Sequence, residues 1–393
     1  MDLFKKCFEY TAVKEAKADG YYPYFIPFSG GDDTVMIYNG APKIMIGSNN
    51  YLGLTHHPKV ISAAEKALHE YGTGSTGSRF LNGTLDIHEA FEKELADFVG
   101  KESALIFSTG YLVNLGVISA LLGRTDAVVI DKLDHASIFD GCLLSGAVIH
   151  RFQHNDTADL EKTLAGIPEN SGTLVVVDGI FSMEGDIAKL PEICPIVQKY
   201  GARLMVDDAH SLGVLGPNGD GTAAHFGLTS QVDLIMGTFS KSFGAVGGFI
   251  AGNADVVDYI KHNSRAMIFT ASLPPSIVAG ARAALQIIQS EPERRQKLIE
   301  IGNFMRKEYR GMGFDTSTSE TPVIPIVIGD NMKTFTFWKK LFNEGVYTNA
   351  VVSPAVPGNS SRLRTSYIAT HRQEQLDFVL EKFYKIGKEL AII

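Results

Sequence analysis

From Ser103 to Gly252 the chain repeats one pattern: a short apolar, largely β-branched run, then a polar or glycine turn, then a stretch of helical length. The runs are Ala104–Phe107, Ala127–Ile130, Ala147–His150, Leu174–Val177, Arg203–Val206, Leu234–Met236 and Gly248–Ala251. They are continuous rather than alternating, as strands covered on both faces are. Strands alternating with helices predict an α/β layer around a seven-stranded, mostly parallel sheet. After Ser272-Leu273-Pro274-Pro275 the pattern changes. Helical segments are expected from about Ser276 to Ser290 and from Glu293 to Tyr309, followed by strand-like runs at Val323–Ile328, Val346–Val352 and Leu363–Tyr367. Leu376, Val379, Leu380, Phe383, Ile386 and Leu390 then form an apolar stripe at helical spacing. This organisation predicts an N-terminal arm with a small hairpin (residues 1–46), a large domain (47–275) and a smaller C-terminal α/β domain (276–393). The arm's turn is expected at Ser29-Gly30-Gly31-Asp32-Asp33.

Composition narrows the classes of function. With 393 residues, 45% of them hydrophobic, the chain can bury a large core, which excludes intrinsic disorder. The 36 basic and 44 acidic residues leave a net charge of −8 with no basic block, so neither nucleic acid nor an anionic membrane is the expected partner. No apolar stretch approaches the ~20 residues of a membrane span, and the Met1–Lys6 start has no signal-peptide core. Cys7, Cys142 and Cys194 are odd in number and lack metal-ligand spacing, so no disulfide framework or metal site is expected. A soluble cytoplasmic protein is the expectation. The 39 glycines exceed the usual ~7% of residues and cluster beside Ser, Thr, Asp and His. Backbone that turns sharply or approaches a ligand closely needs glycine, so these clusters are where chemistry is sought.

In an open parallel sheet, ligands sit beyond the carboxyl ends of the strands. The residues just after the predicted strands include Asp134-His135, Asp178, Asp207-Asp208-Ala209-His210 and Thr238-Phe239-Ser240-Lys241. A lone lysine is ordinarily a solvated surface group, but Lys241 follows a buried strand and precedes Gly244, Gly247 and Gly248. A partly desolvated lysine can form an imine with an aldehyde. A P-loop is excluded, because Ser240 stands where that motif needs glycine. Asp207 is either a helix cap or a carboxylate that keeps a pyridinium nitrogen protonated. His210 is either a packed turn residue or a donor to a ring oxygen, and His135 either starts a helix or stacks on a ring. Ser108-Thr109-Gly110-Tyr111 opens a helix whose N–H groups suit a phosphate, within reach of the Thr238 and Ser240 hydroxyls. Gly72-Thr73-Gly74-Ser75-Thr76-Gly77 matches a dinucleotide-binding spacing but follows a helix rather than a strand, and reads as a loop close to a ligand with Arg79 beside it. His56-His57 reads as a surface or capping pair. Together the strand-end residues supply what pyridoxal 5'-phosphate (PLP) requires: an amine, a carboxylate, a stacking imidazole and a phosphate cradle.

The chain resembles the α-oxoamine synthases, PLP enzymes of aspartate-aminotransferase-like fold (fold type I) that join an amino acid to an acyl-CoA with loss of CO2. The likeness rests on Ser48–Leu54, Gly77-Ser78-Arg79, Asp134-His135-Ala136-Ser137, Asp178-Gly179 with Ser182–Asp186, Asp207-Asp208-Ala209-His210 and Thr238–Lys241, all in order. Ser78–Thr84, Gly237–Ser242 and Ser353–Pro357 are most similar to the branch that condenses L-serine with a long-chain acyl-CoA. Sister enzymes that use glycine or alanine are the alternative, and a non-catalytic partner subunit is a more distant one. The resemblance implies Lys241 as imine lysine and acid/base, Asp207 on the pyridine nitrogen, His210 on the ring oxygen and His135 stacked on the ring. It further implies phosphate contacts from Gly110, Tyr111, Thr238 and Ser240, a cofactor contact from Ser182, and Thr270 reaching the site of a neighbouring subunit in a homodimer. Arg364, with Asn49, would hold the amino-acid carboxylate, and Arg362 is the rival.

Overall fold

The computed structural model describes the whole chain, Met1–Ile393. Two compact units divide it: Asn49–Glu300, and a second in which Met1–Ser48 joins Ile301–Ile393.

The chain begins with two short helices and a hairpin of β1 (Val35–Tyr38) and β2 (Ala41–Met45). The hairpin turns at Asn39-Gly40, with φ of +48° and +78°. Positive φ at both central residues is what a two-residue hairpin needs, and Asn-Gly is the pair that tolerates it. The expected turn at Ser29–Asp33 is present and closes at Asp32–Val35: Gly31 bridges Met36 antiparallel, the Asp32 N–H donates to the Val35 carbonyl, and Asp32 Oδ1 accepts from the N–H groups of Thr34 and Val35. The β1–β2 hairpin does not stand apart from a core. Strand β2 pairs in parallel with a C-terminal strand, and Ile46 just beyond it is fully buried.

The larger unit holds β3 (Ser103–Phe107), β4 (Ala127–Asp131), β5 (Val148–Phe152), β6 (Thr173–Asp178), β7 (Arg203–Asp207), β8 (Leu234–Thr238) and β9 (Gly248–Gly252). They form the expected seven-stranded sheet in the order β3-β9-β8-β7-β6-β4-β5, and only β9 runs against its neighbours. The ladder continues past the apolar runs, pairing Asp178 with Asp207 and Asp207 with Met236. Asp178 and Asp207 are thus held by the sheet rather than by loops. One face is covered by helices Gly110–Leu121 and Ala136–Ser145, which cross closely. Gly141 permits the crossing, since a Cβ there would lie 2.8 Å from the Asn114 carbonyl oxygen. Helix Pro275–Ser290 packs on helix Pro58–Tyr71 and belongs to this unit, so the boundary lies after residue 300 rather than 275. His57 caps helix Pro58–Tyr71 by accepting from the Lys59 N–H.

In the second unit, β10 (Val323–Val327), β12 (Asn349–Val351) and β13 (Arg362–Ser366) form one antiparallel sheet, while β11 (Val346–Tyr347) joins β2. The single run expected at Val346–Val352 is therefore split between two sheets at Thr348. That residue is fully buried, with its hydroxyl donating to the Arg364 carbonyl and its own carbonyl accepting from Trp338 Nε1. The stripe residues of helix Gln373–Glu389 from Leu376 to Ile386 are buried among Tyr309, Phe337 and Trp338. No helix is long and apolar enough to cross a membrane.

Candidate active site

Beyond the carboxyl ends of β3, β4, β6, β7 and β8 lies a cavity of about 300 Å³. Eight of the twelve residues singled out from the sequence line it: Gly110, Tyr111, His135, Asp207, His210, Thr238, Ser240 and Lys241. Gly110 opens helix Gly110–Leu121, whose N-cap, Thr109, accepts from the Leu112 N–H at 3.2 Å. The Gly110 and Tyr111 amides are among those a helix start leaves without an intrahelical partner. A Cβ at Gly110 would sit 2.7 Å from Thr238 Oγ1, so glycine is what lets strand β8 approach this helix start. Thr238 Oγ1 donates to the Gly247 carbonyl at 2.9 Å and lies 3.0 Å from Ser240 Oγ. Lys241 follows on a nine-residue loop between antiparallel β8 and β9. Fully buried Phe239 and Phe243 anchor the loop, and the Phe239 backbone pairs with Gly247 and Ala245.

Asp207 ends β7, and its carboxylate accepts from the Ala209 N–H at 3.0 Å and from Asn114 Nδ2 at 2.8 Å. His210 Nδ1 lies 2.6 Å from the hydroxyl of buried Tyr51, which is 3.4 Å from Asn49 Oδ1. His135 caps helix Ala136–Ser145, with Nδ1 2.8 Å from Ser137 Oγ. Burial holds its imidazole pKa below the ordinary value, reinforced by Lys241 and opposed by Asp207. Asp178, register partner of Asp207, also lines the cavity. Its own burial and the charge of Asp207 push its carboxyl pKa well up, and Oδ1 has no hydrogen-bond partner.

The loop after β6 is held from outside the cavity. His154 bridges two carboxylates, with Nδ1 3.1 Å from Asp131 Oδ1 and Nε2 3.0 Å from Asp186 Oδ2, and its ring meets Phe181 edge-on at 4.4 Å. The two carboxylates raise its pKa to about 10 against the effect of burial. Ser182 lies on this loop and does not line the cavity. Asn49 is linked to the site through Tyr51 rather than by lining it. Thr270 lines a separate small void with Ser108 and His88. Arg364 and Arg362 are buried two residues apart on β13, on one face of that strand, in the other unit.

Other expectations resolve as structure rather than chemistry. The Gly72–Gly77 loop does not line the cavity; it packs on the 271–272 segment through the Ser272 N–H bond to the Gly77 carbonyl. Arg79 is fully occupied by a bidentate pair with Glu92 at 2.7 and 3.0 Å. Sequence reasoning missed Asn114, Ser137 and Tyr51, all buried around the site. Asn114 carried a signal: it is the one amide side chain in the otherwise apolar helix Gly110–Leu121.

The pattern of an aminotransferase class I and II domain matches residues 41–383. The chain belongs to the aminotransferase class I and II family. Within that family it is 50% identical over 390 residues to a serine palmitoyltransferase of Sphingobacterium spiritivorum, covering 99% of this chain and 98% of the relative. It is 43% identical over 366 residues to an 8-amino-7-oxononanoate synthase of Lysinibacillus sphaericus, covering 93% and 94%. The structure of a serine palmitoyltransferase from S. paucimobilis with bound PLP–myriocin aldimine superposes with a TM-score of 0.96 at 38% identity, with both chains covered in full. These matches carry the fold type I assignment across the whole chain.

Proposed function

We propose that the chain is a PLP-dependent acyltransferase that condenses L-serine with a long-chain acyl-CoA, releasing CoA and CO2 and forming 3-ketosphinganine, the first step of sphingolipid synthesis. One observation carries this reading. In a chain half identical to a serine palmitoyltransferase, an amine, a carboxylate, an imidazole and a glycine-opened helix start face one cavity. The cavity fits PLP chemically. Gly110 leaves space that a Cβ would fill, and the hydroxyls and helix amides beside it suit a phosphate.

When bound, PLP supplies an electron sink for a carbanion at the carbon bearing the amine. In this reading Lys241 tethers the cofactor and, once released, moves the serine Cα proton. A base held in place typically contributes about 10²–10⁴-fold. Asp207, steadied by Asn114 and the Ala209 N–H, keeps a proton on the pyridine nitrogen. The Gly110 and Tyr111 amides with the Thr238 and Ser240 hydroxyls hold the phosphate, and His135 lies against the ring. His210, engaged by Tyr51, serves the ring oxygen. Arg364, with Asn49, takes the serine carboxylate. Thr270 serves the site of a second copy in a homodimer. Support for a covered surface there comes from Phe80, Leu81 and Phe269, all exposed beside the bridge between Ser78 and Ala271. The reaction is assigned to the cytoplasm.

The test combines a spectrum with a substrate panel. Lys241→Ala is expected to lose the borohydride-sensitive absorption band of the wild type, and a retained band refutes the lysine's role. Wild-type protein is expected to release CoA from palmitoyl-CoA with L-serine. Release with L-alanine or glycine but not L-serine would move the chain to the sister synthases, a reading favoured by its 43% identity to an 8-amino-7-oxononanoate synthase.

A further inference from the structure

The buried polar atoms behind the cavity form a chain with one direction. Asn114, fully buried, places its amide nitrogen 2.8 Å from Asp207 Oδ2 and 2.8 Å from Ser137 Oγ. Ser137 Oγ lies 2.8 Å from His135 Nδ1, and the Ser137 N–H points at the same nitrogen from 3.3 Å. An ionised carboxylate can only accept, so the amide must turn its NH2 group to Asp207; reversed, it would set two oxygens against each other. An NH2 group can only donate, so Ser137 Oγ accepts from it. The serine's own proton is then left for His135 Nδ1. A neutral imidazole that accepts at Nδ1 carries its single proton on Nε2. A second observation agrees: the Ser137 backbone N–H, which can only donate, faces the same His135 Nδ1, so that nitrogen is an acceptor.

We infer that Asn114 is a positioning residue that, through Ser137, couples the carboxylate of Asp207 to His135 and fixes that imidazole as the Nε2–H tautomer. His135 then offers a hydrogen-bond donor, not an acceptor, to a group bound beside it. Asn114 touches neither cofactor nor substrate in this scheme. The inference rests on the proposed roles of His135 and Asp207, but not on which amino acid is condensed.

The experiment is nitrogen-15 NMR of histidine-labelled holoenzyme at neutral pH, with the His135 signals assigned by their loss in His135→Asn. In the wild type, Nδ1 is expected at the unprotonated position and Nε2 at the protonated one. Asn114→Asp keeps the shape and turns an oxygen toward Ser137. The serine hydroxyl then donates back to it, and the His135 proton is expected to move to Nδ1 in most molecules. Ser137→Ala cuts the relay. It is expected to bring Nδ1 part of the way toward the protonated position, after which adding Asn114→Asp produces no further movement. Ser137→Thr restores the hydroxyl and is expected to restore the wild-type signals. A wild-type proton on Nδ1, or a folded Asn114→Asp with unmoved His135 signals, overturns the inference. Should Asn114→Asp not fold, an unmoved Nδ1 signal in Ser137→Ala overturns it instead. Failure to turn over L-serine would refute the proposed function and leave these signals as expected, so the two outcomes are distinguishable.

Discussion

Replacing His154 removes the cation from between two buried carboxylates, and the structure sets the size of the effect. Asp131 is 1% exposed and Asp186 6%, and His154 contacts one at 3.1 Å and the other at 3.0 Å. Taking one partner from a buried ion pair leaves an uncompensated charge and costs about 3–5 kcal/mol. For a unit of this size that corresponds to a fall in Tm of roughly 6–20 °C. The pH dependence follows from the direction of the shift. The folded protein holds the His154 proton up to about pH 10, well above the ordinary 6.5. The contribution is therefore fully present below about pH 6.5 and lost as pH rises through about 10. Urea unfolding of wild type and His154→Leu from pH 6.5 to 10 is the assay, at equal cofactor saturation because bound ligand adds its own stability. The stability gap is expected to be largest at pH 6.5 and to shrink steadily toward pH 10. A gap below about 1 kcal/mol at pH 7, the scale of an exposed pair, would refute the reasoning. So would a gap that stays constant to pH 10.

Gly110→Ala would bring a methyl group to 2.7 Å from Thr238 Oγ1. Overpacking of this kind costs about 1–3 kcal/mol. It should raise the PLP dissociation constant about tenfold or more, measured by absorbance titration; unchanged affinity would remove Gly110 from the phosphate cradle. Arg364→Ala is expected to weaken L-serine binding by about tenfold to a hundredfold, the weight of a hydrogen bond between charged groups, with the cofactor spectrum intact. If Arg362→Ala shows that loss and Arg364→Ala does not, the carboxylate contact belongs to Arg362.

Hydrophobic patterning reports which faces are buried, and it located all seven strands of the large sheet. It stopped short at their carboxyl ends, because Asp131, Asp178 and Asp207 break the apolar run while their backbones still pair. Those extra ladder positions aim Asp178 and Asp207 at the cavity, while Asp131 turns to His154 outside it. At Val346–Val352 the reverse happened, since a continuous apolar run says nothing about Thr348 turning the chain from one sheet to another. The four residues that motif order grouped, His135, Asp207, His210 and Lys241, line one cavity. Motif order could not tell that Arg79 is consumed by Glu92, because which charges neutralise each other depends on how helix Asp86–Val99 packs. Asn114 was passed over as part of an apolar helix, although a single amide buried there needs partners. Its partners, Asp207 and Ser137, come from β7 and the start of another helix, and no local spacing announces them.

The sheet's strand order has a consequence for synthesis. Edge strand β3 pairs only with β9, Phe107 against Gly248, so the backbone that leads into Gly110 has no ladder partner until 140 further residues have been made. At ~5–20 residues per second that delay is roughly 7–30 s. Throughout it, Ser103–Phe107 presents an apolar strand with open backbone groups, the kind of edge that recruits other chains. Nascent chains that stall before β9 leaves the ribosome should therefore be aggregation-prone, and the cavity that Lys241 lines is complete only once Val246 and Gly247, just ahead of that strand, have followed it.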